Sequence, residues 1–242
     1  MSETLLHSIM DSIERMKKEA GIAACDFIED GMKLGLGTGS TVRYTVIEIG
    51  RRISEDGLKV VGVPTSEVTR KLALEVGIPI VTLSESGGLD LVIDGADEFD
   101  DNFSLIKGGG GALTREKIVA QSSKSMIVVA DYRKQVNTLG SFALPVEVLP
   151  FEWERTRDRI SSFCSGSVTL RGGFEPFLTD NGGYILDCCF GPSISDPESL
   201  EMKLLSIAGV VEVGLFVGIC DAVILASTDG IVTLTKDSGT LG

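Results

Sequence analysis

Short runs of β-branched and aliphatic residues alternate with helical patterns through the first two-thirds of the chain. The runs predict strands at Met32–Leu36, Leu58–Val63, Ile80–Leu83, Leu89–Ile93 and Met126–Ala130. The patterns between them predict helices from near Leu5 to about Phe27, from Thr41 to about Glu55, from Thr65 or Ser66, and from Thr114 to Ser122. This alternation predicts an α/β fold in which helices cover a Rossmann-like, mostly parallel sheet.

The pattern changes near Leu139. A helical pattern at Glu152–Phe163, a hairpin signal at 180–183 and a helix that Pro197 opens indicate an α+β segment. The closing strands, at about Val211–Phe216 and Ala222–Ala226, are expected to return to the first sheet. We therefore predict a Rossmann-like catalytic domain at 1–140 and 211–242, with a smaller α+β domain at 141–210 inserted before the C-terminal strands.

Composition excludes several classes of function. In this chain of 242 residues Asp and Glu outnumber Lys and Arg by 35 to 22, so nucleic acid is not an expected partner. The one histidine, His7, disfavours histidine-dependent triads and multi-histidine metal sites. The five cysteines form no C-x-x-C pair and predict reduced thiols in a cytoplasmic protein. No targeting or membrane-spanning segment is expected.

The loop Gly37–Thr41 follows the first predicted strand and reads Gly-Thr-Gly-Ser-Thr. Inward-pointing amides, two kinds of hydroxyl and the positive end of the next helix would together suit a phosphate. A dinucleotide-binding motif is excluded because Ser40 stands where the third glycine belongs, and no Gly-Lys pair of a Walker A loop occurs. For this loop alone, a tight strand–helix turn is an equal alternative.

An acidic loop, Asp94–Asp100, follows an apolar run, so Asp94 is expected at the carboxyl end of a buried strand. Asp94 and Asp97 flank Gly95 and Ala96 and could face one cavity, where they would bind sugar hydroxyls or exchange protons. The alternatives are a solvated acidic turn, a helix N-cap, or a divalent metal site that lacks EF-hand spacing.

Four consecutive glycines, Gly108–Gly111, separate Lys107 from the helix predicted at Thr114. Glycine is entropically costly unless the backbone must approach something closely, so these amides and Lys107 are predicted to hold an oxyanion. Thr114 is expected to cap the helix, and Glu116 to project from the first turn toward the loop. For Glu116 considered alone, a charge that favours the helix dipole is the simpler interpretation.

Together the three loops predict one site with a phosphate cradle, carboxylates for hydroxyl groups, and a lysine with amides for a developing oxyanion. Without histidine the base must be a carboxylate, and without a nucleotide or metal signature the reaction should need no cofactor and no metal. An aldose–ketose isomerisation through an enediolate meets these requirements.

The sequence resembles ribose-5-phosphate isomerases of the A type at these loops and beyond them. The resemblance covers nearly the whole chain, in the family's order, at residues 37–41, 94–98, 107–110, 114–117, 144–148, 179–182 and 214–216. It implies interconversion of D-ribose 5-phosphate and D-ribulose 5-phosphate in the pentose phosphate pathway. We also expect a homo-oligomer, either a dimer or a tetramer.

The resemblance also implies roles for individual residues. Glu116 would move the proton between C1 and C2, while the enediolate oxygen would be stabilised by Lys107 and the amides of Gly108, Gly109 and Gly110. The sugar hydroxyls would be bound by Asp94, Gly95, Ala96 and Asp97, with the two aspartates assisting ring opening. The phosphate would be bound by Thr38, Gly39, Ser40, Thr41 and Lys134, joined by either Lys17 or Lys18.

The non-enzymatic alternative is a sugar-phosphate-sensing module of the same fold. Such a module would keep the phosphate loop but would not need the pair formed by Lys107 and Glu116. Among related enzymes, coenzyme A transferases use a glutamate as a covalent nucleophile. Amino-sugar phosphate deaminases generally rely on a histidine in the site, for which His7 is poorly placed.

Overall fold

The computed structural model describes residues 3–191 and 193–236, so the tail after Lys236 lies outside the described residues. The α-helices are α1 (Glu3–Ala23), α2 (Val42–Asp56), α3 (Glu67–Glu75), α4 (Leu83–Ser86), α5 (Leu113–Gln121), α6 (Trp153–Ser161) and α7 (Pro197–Leu205). The first strands are β1 (Lys33–Leu36), β2 (Val61–Pro64), β3 (Leu91–Gly95), β4 (Glu98–Phe99), β5 (Leu105–Ile106) and β6 (Met126–Asp131). The remaining strands are β7 (Leu144–Val148), β8 (Val168–Leu170), β9 (Tyr184–Cys188), β10 (Val210–Val213), β11 (Leu215–Phe216), β12 (Ala222–Ser227) and β13 (Gly230–Thr235).

The chain forms two compact units. The first comprises the chain up to Gly95, Val119–Lys134 and the chain from Cys220 onward, and the second comprises Ala96–Ile118 and Gln135–Ile219. The boundaries predicted from the sequence lie at other residues, because they extend the strand–helix alternation through 96–118 and place 211–219 with the first sheet. The division into domains at 141–210 stays a prediction.

The first unit is built on a six-stranded sheet in the order β13-β12-β6-β3-β1-β2. All neighbours are parallel except β13, which is antiparallel to β12. The chain runs from β1 outward to β2 and then returns to β3 on the other side of β1. The order therefore reverses between β1 and β3, and open α/β sheets bind ligands beyond the carboxyl ends of strands at such a point.

The central strands are apolar along their length because helices cover the sheet. Every residue of β6 is buried, as are Leu91–Asp94 of β3. Leu34, Ile93 and Val129 belong to one core cluster with apolar residues of α1 and α2, among them Met16, Val46 and Ile49. This packing holds the carboxyl ends of β1 and β3 side by side.

The second unit contains two antiparallel sheets, one in the order β10-β7-β9-β8 and a smaller one in the order β11-β5-β4. One core cluster of this unit includes Val146 of β7, Leu186 of β9, Ile160 of α6 and Leu204 of α7. A mostly parallel sheet with helices, accompanied by an antiparallel α+β part, confirms the predicted fold class.

Several predicted elements differ from the structure. Ile80–Leu83 is not a strand, because Ile80 makes only an isolated bridge to Gly62 and α4 begins at Leu83. Val211–Phe216 does not return to the first sheet, because it splits into β10 and β11 of the two antiparallel sheets. The turn at 180–183 forms, but it leads into β9, whose hairpin partner β8 ends at Leu170.

Of the helices within residues 3–191 and 193–236, none combines the length and the apolar character needed to cross a membrane.

Candidate active site

The loop Gly37–Thr41 leaves β1 and leads into α2, whose N-cap is Thr41. Gly39 has a φ of 143°, a conformation that other residues rarely adopt, and its carbonyl accepts from Arg43 N–H in the first turn of α2. Gly39 and Ser40 are exposed and Thr41 is half-buried. The loop therefore presents an accessible backbone and two hydroxyls at the positive end of a helix, as the sequence predicted for a phosphate cradle.

Thr38 bonds side chains of the first unit through both its amide and its hydroxyl. Its amide donates to Asp94 Oδ1 at 3.0 Å. Its hydroxyl lies 2.7 Å from Thr65 Oγ1, 2.8 Å from Ser66 Oγ and 3.1 Å from Thr69 Oγ1. This hydroxyl cluster fixes the entrance to the loop.

The three residues that surround the Thr38 hydroxyl are not among the predicted site residues. Ser66 is predicted only as a possible helix start, and the structure confirms that Ser66 caps α3. Thr65 and Ser66 directly follow β2, which is parallel to β1. Because the carboxyl ends of neighbouring parallel strands lie at the same edge of a sheet, this pair could have been predicted to lie near Thr38.

Asp94 lies near the end of β3, as predicted, and is fully buried. Its Oδ1 accepts from the Gly95 amide at 2.7 Å as well as from Thr38. Gly37 is required beside it, because a Cβ at position 37 would overlap the Asp94 carboxylate. The strand order thus brings Asp94 and the phosphate loop together within the first unit.

Asp97 belongs to the second unit, where it contacts the glycine loop. The Gly109 amide donates to Asp97 Oδ2 at 2.7 Å, and a Cβ on Gly109 would overlap the same carboxylate. Gly108 has a φ of 101° and Gly111 a φ of 77°, so both positions need glycine. Three of the four consecutive residues must therefore be glycine, either because of their backbone conformation or because a side chain would not fit.

Lys107 and Glu116 form an ion pair inside the second unit. Lys107 Nζ lies 3.4 Å from Glu116 Oε1, and the two residues are 2% and 4% exposed. The Lys107 ammonium also lies 5.5 Å from the centroid of the Phe216 ring, and the Lys107 amide donates to Gly214 O. A glutamate and a lysine buried together can serve as a base and as a cation for a developing oxyanion.

Glu116 lies in the first turn of α5, and hydrogen bonds to residues outside the helix hold this turn in place. Thr114 was predicted to cap this helix, but the prediction is wrong because α5 begins one residue earlier, at Leu113. The Thr114 hydroxyl instead donates to the buried carboxylate of Glu147. Arg115 donates to Asn181 Oδ1 and to Asp180 O. These contacts fix the backbone on which Glu116 stands.

Lys134 ends a 3-10 turn, Tyr132–Lys134, directly after β6 in the first unit. The turn is closed by Asp131, whose carboxylate accepts from Arg133 Nε at 2.6 Å and from Arg133 Nη2 at 2.9 Å. Burial acts to raise the pKa of Asp131, but the hydrogen bonds from Arg133 outweigh it and leave that pKa below its ordinary value. Lys134 itself is half-buried.

The two candidate lysines of α1 differ in their surroundings. Lys17 is half-buried with Nζ 3.4 Å from Glu14 Oε2, whereas Lys18 is exposed. Within the part of the chain that the structure describes, no group of three or more His, Cys, Asp or Glu side chains is arranged to hold a metal ion.

Comparison with known proteins gives one consistent result. The family model for ribose 5-phosphate isomerase A (phosphoriboisomerase A) matches residues 61–230. Ribose-5-phosphate isomerase A of Cereibacter sphaeroides is 53% identical over 234 residues, covering 94% of this chain and 93% of that protein.

Solved structures agree with the sequence comparison. Ribose 5-phosphate isomerase from Plasmodium falciparum has a TM-score of 0.89 at 38% identity, covering 92% of this chain and 99% of the other. A D-ribose-5-phosphate isomerase in complex with phospho-erythronic acid has a TM-score of 0.88 at 41% identity, with the same coverage.

Proposed function

The chain belongs to the ribose 5-phosphate isomerase A family, and we propose that it interconverts D-ribose 5-phosphate and D-ribulose 5-phosphate through an enediolate. The observation that carries this proposal is the buried pair of Lys107 and Glu116. A sensing module of the same fold would not need a buried carboxylate beside a buried ammonium. The non-catalytic alternative is therefore not favoured.

In the proposed reaction Glu116 removes the proton from C2 of the open-chain aldose. The electrons of the C2–H bond form the C1=C2 double bond, and the carbonyl electrons move onto O1. Glu116 then delivers its proton to C1, while the proton of the C2 hydroxyl passes to O1 and leaves a carbonyl at C2. No group outside the substrate and the chain is consumed.

The developing charge on O1 is stabilised, in this proposal, by Lys107 and by the amides of Gly108–Gly110. The support is the burial of the Lys107 ammonium, since a charge in a poorly solvated position stabilises an oxyanion more strongly than it would in water. Asp94 and Asp97, with Gly95 and Ala96, bind the sugar hydroxyls, and the two aspartates assist ring opening.

The phosphate is assigned to Thr38, Gly39, Ser40, Thr41 and Lys134. The exposed backbone of Gly39 and Ser40 at the start of α2 supports direct contact there. The Thr38 hydroxyl is held by three other hydroxyls and supports the shape of the loop. Either Lys17 or Lys18 of α1 joins the phosphate as an additional contact.

We further propose a cytoplasmic homo-oligomer, a dimer or a tetramer, whose substrate is a small sugar phosphate of the pentose phosphate pathway. All five cysteines are free thiols, which suits a reducing compartment. Sedimentation analysis would measure the oligomeric state.

The decisive experiment follows the conversion of ribose 5-phosphate together with exchange of its C2 hydrogen for solvent deuterium. We expect ketose to form and deuterium to enter, because the proton passes through Glu116. Saturable binding of ribose 5-phosphate with neither conversion nor exchange would establish the sensing module instead.

A further inference from the structure

Arg171 connects the glycine loop of the second unit to β9. Arg171 belongs to none of the sequence motifs described above and is followed by an exposed turn, so the sequence gives no sign of this connection. Its Nη1 donates to Gly108 O at 2.9 Å and to Gly109 O at 3.1 Å. On its other side, Nε donates to Asp187 Oδ2 at 3.0 Å and Nη2 donates to Asp187 Oδ1. One guanidinium thus joins two loop carbonyls to a carboxylate of β9.

The direction of these carbonyls determines the direction of the loop amides. In a planar trans peptide the C=O and the next N–H point in opposite directions. Because Gly108 O points toward Arg171, the Gly109 amide points away from it, and this amide does bond Asp97 Oδ2. By the same geometry the bond from Arg171 to Gly109 O turns the Gly110 amide away from the guanidinium.

Within the loop the Gly111 amide donates to Gly108 O at 2.8 Å, and Arg171 adds an external constraint on glycine peptides, which rotate more freely than others. Gly111 lies so close to Phe177 that a Cβ would overlap the ring, and Arg171 lies 5.9 Å from the centroid of that ring. The Phe177 amide in turn donates to Arg171 O at 2.9 Å. Arg171 and Phe177 together form one wall against which the glycine loop rests.

We propose that Arg171 is a positioning residue for the isomerisation: by holding the carbonyls of Gly108 and Gly109, it keeps the Gly109 amide on Asp97 Oδ2 and turns the Gly110 amide toward the reacting oxygen. This inference rests on the proposed function. A lysine could not replace Arg171, because it lacks the rigid fork that contacts a carboxylate and two carbonyls at once.

The test compares Arg171→Lys with Arg157→Lys. Arg157 lies in the same unit, bonds Asp158 and covers the Trp153 ring, but its contacts are remote from the glycine loop. We expect Arg171→Lys to lower kcat by about tenfold or more with little change in KM, because misdirected amides weaken only the transition state. Arg157→Lys should stay within about twofold of the unaltered protein.

A second measurement reports on the loop without using activity. Amide hydrogen exchange of residues 107–112, followed by mass spectrometry, should be faster in Arg171→Lys and unchanged in Arg157→Lys. In Arg171→Ala, added guanidinium should restore part of kcat, whereas ammonium at equal ionic strength should not. A residue that merely stabilises the fold would not produce this selective rescue.

The outcomes separate this inference from the proposed function. If the unaltered protein converts ribose 5-phosphate and Arg171→Lys retains full kcat, the role of Arg171 is refuted and the proposed function stands. If Arg171→Lys does not fold, the absence of guanidinium rescue in Arg171→Ala likewise refutes it. An unaltered protein that fails to convert the substrate refutes both proposals, even where loop exchange responds to Arg171.

Discussion

At the scale of single residues, one atom distinguishes the glutamate at position 116 from glutamine, and that atom carries the proposed proton transfer. Glu116→Gln preserves size and hydrogen bonding but removes the basic carboxylate beside Lys107. We expect kcat to fall by about a hundredfold or more, within the usual range for general-base catalysis. Exchange of the C2 hydrogen with solvent should disappear while sugar-phosphate binding persists, as measured by deuterium incorporation and calorimetry.

Glu154→Gln is the matched control, because Glu154 also lies in the first turn of a helix but is exposed. It should retain full activity. Near-normal turnover in Glu116→Gln, combined with loss in Asp94→Asn or Asp97→Asn, would transfer the role of base to one of the aspartates.

Sequence patterns predict individual residues well where the physical cause is local. Asp94 follows an apolar run, so its place at a strand end could be predicted. Arg171 could not be predicted, because its contacts with Gly108 and Gly109 join positions 63 and 62 residues apart in the chain. Threonine is a common helix N-cap residue, yet the Thr114 hydroxyl donates to Glu147, which is 33 residues away in the chain.

At the scale of elements, Lys117 of α5 forms ion pairs with α7 and β10. Its ammonium is buried and donates to Glu201, Glu212 and Val213 O. Lys117→Met leaves these acceptors without their cation, so we expect the free energy of unfolding to fall by about 3 kcal/mol, at the lower end for broken buried pairs.

Urea unfolding of Lys117→Met against Lys124→Met measures this effect. Lys124 is 80% exposed and paired with Asp90, so its removal should cost less than about 1 kcal/mol. Equal stability of the two variants would show that α5 is held by packing alone.

Glu48 of α2 makes part of the stability depend on pH. Hydrogen bonds from Arg51, and further ones from Arg52, outweigh burial and lower the pKa of Glu48 to about 2 from an ordinary value of 4.5. A carboxyl whose pKa is lowered by folding stabilises the fold above its unfolded pKa, and this contribution is lost as pH falls from 4.5 to about 2.

Glu48→Gln should therefore lower the free energy of unfolding by about 1–2 kcal/mol near neutral pH, allowing for the exposure of Arg51. The difference in unfolding free energy between Glu48→Gln and the unaltered protein should disappear as the pH falls from 4.5 toward about 2, as measured by urea unfolding at a series of pH values. A difference that stays constant with pH would assign the effect to packing rather than charge.

Elements with a strong periodic pattern were predicted, and those determined by distant partners were not. The helix at 41–55 and the strand at 126–130 depend on their own apolar spacing, and both form with small shifts. The run at 80–83 has strand composition but finds no partner beyond the bridge of Ile80 to Gly62. Residues 211–216 are strand-forming, but their own sequence does not specify which sheet they join.

At the scale of the whole molecule, the absence of a nucleotide or metal motif in the sequence predicts that turnover depends on the chain and its substrate alone. Activity should therefore persist after dialysis against excess chelator, measured as ketose formation in metal-free buffer. Loss of turnover that Mg²⁺ restores would indicate that the acidic loop Asp94–Asp100 binds a metal.

The position of β12 in the first sheet has a consequence for how the protein is made. During synthesis β6 emerges from the ribosome after one of its neighbours, β3, but its other neighbour, β12, follows the second unit in the chain. Until residues 222–227 emerge, the nascent polypeptide carries the buried strand Met126–Asp131 with one unpaired edge, which can pair with other chains. Because the second unit is complete in sequence before the first, that edge stays unpaired while the whole second unit is synthesised, which is when an exposed strand is most prone to pair wrongly.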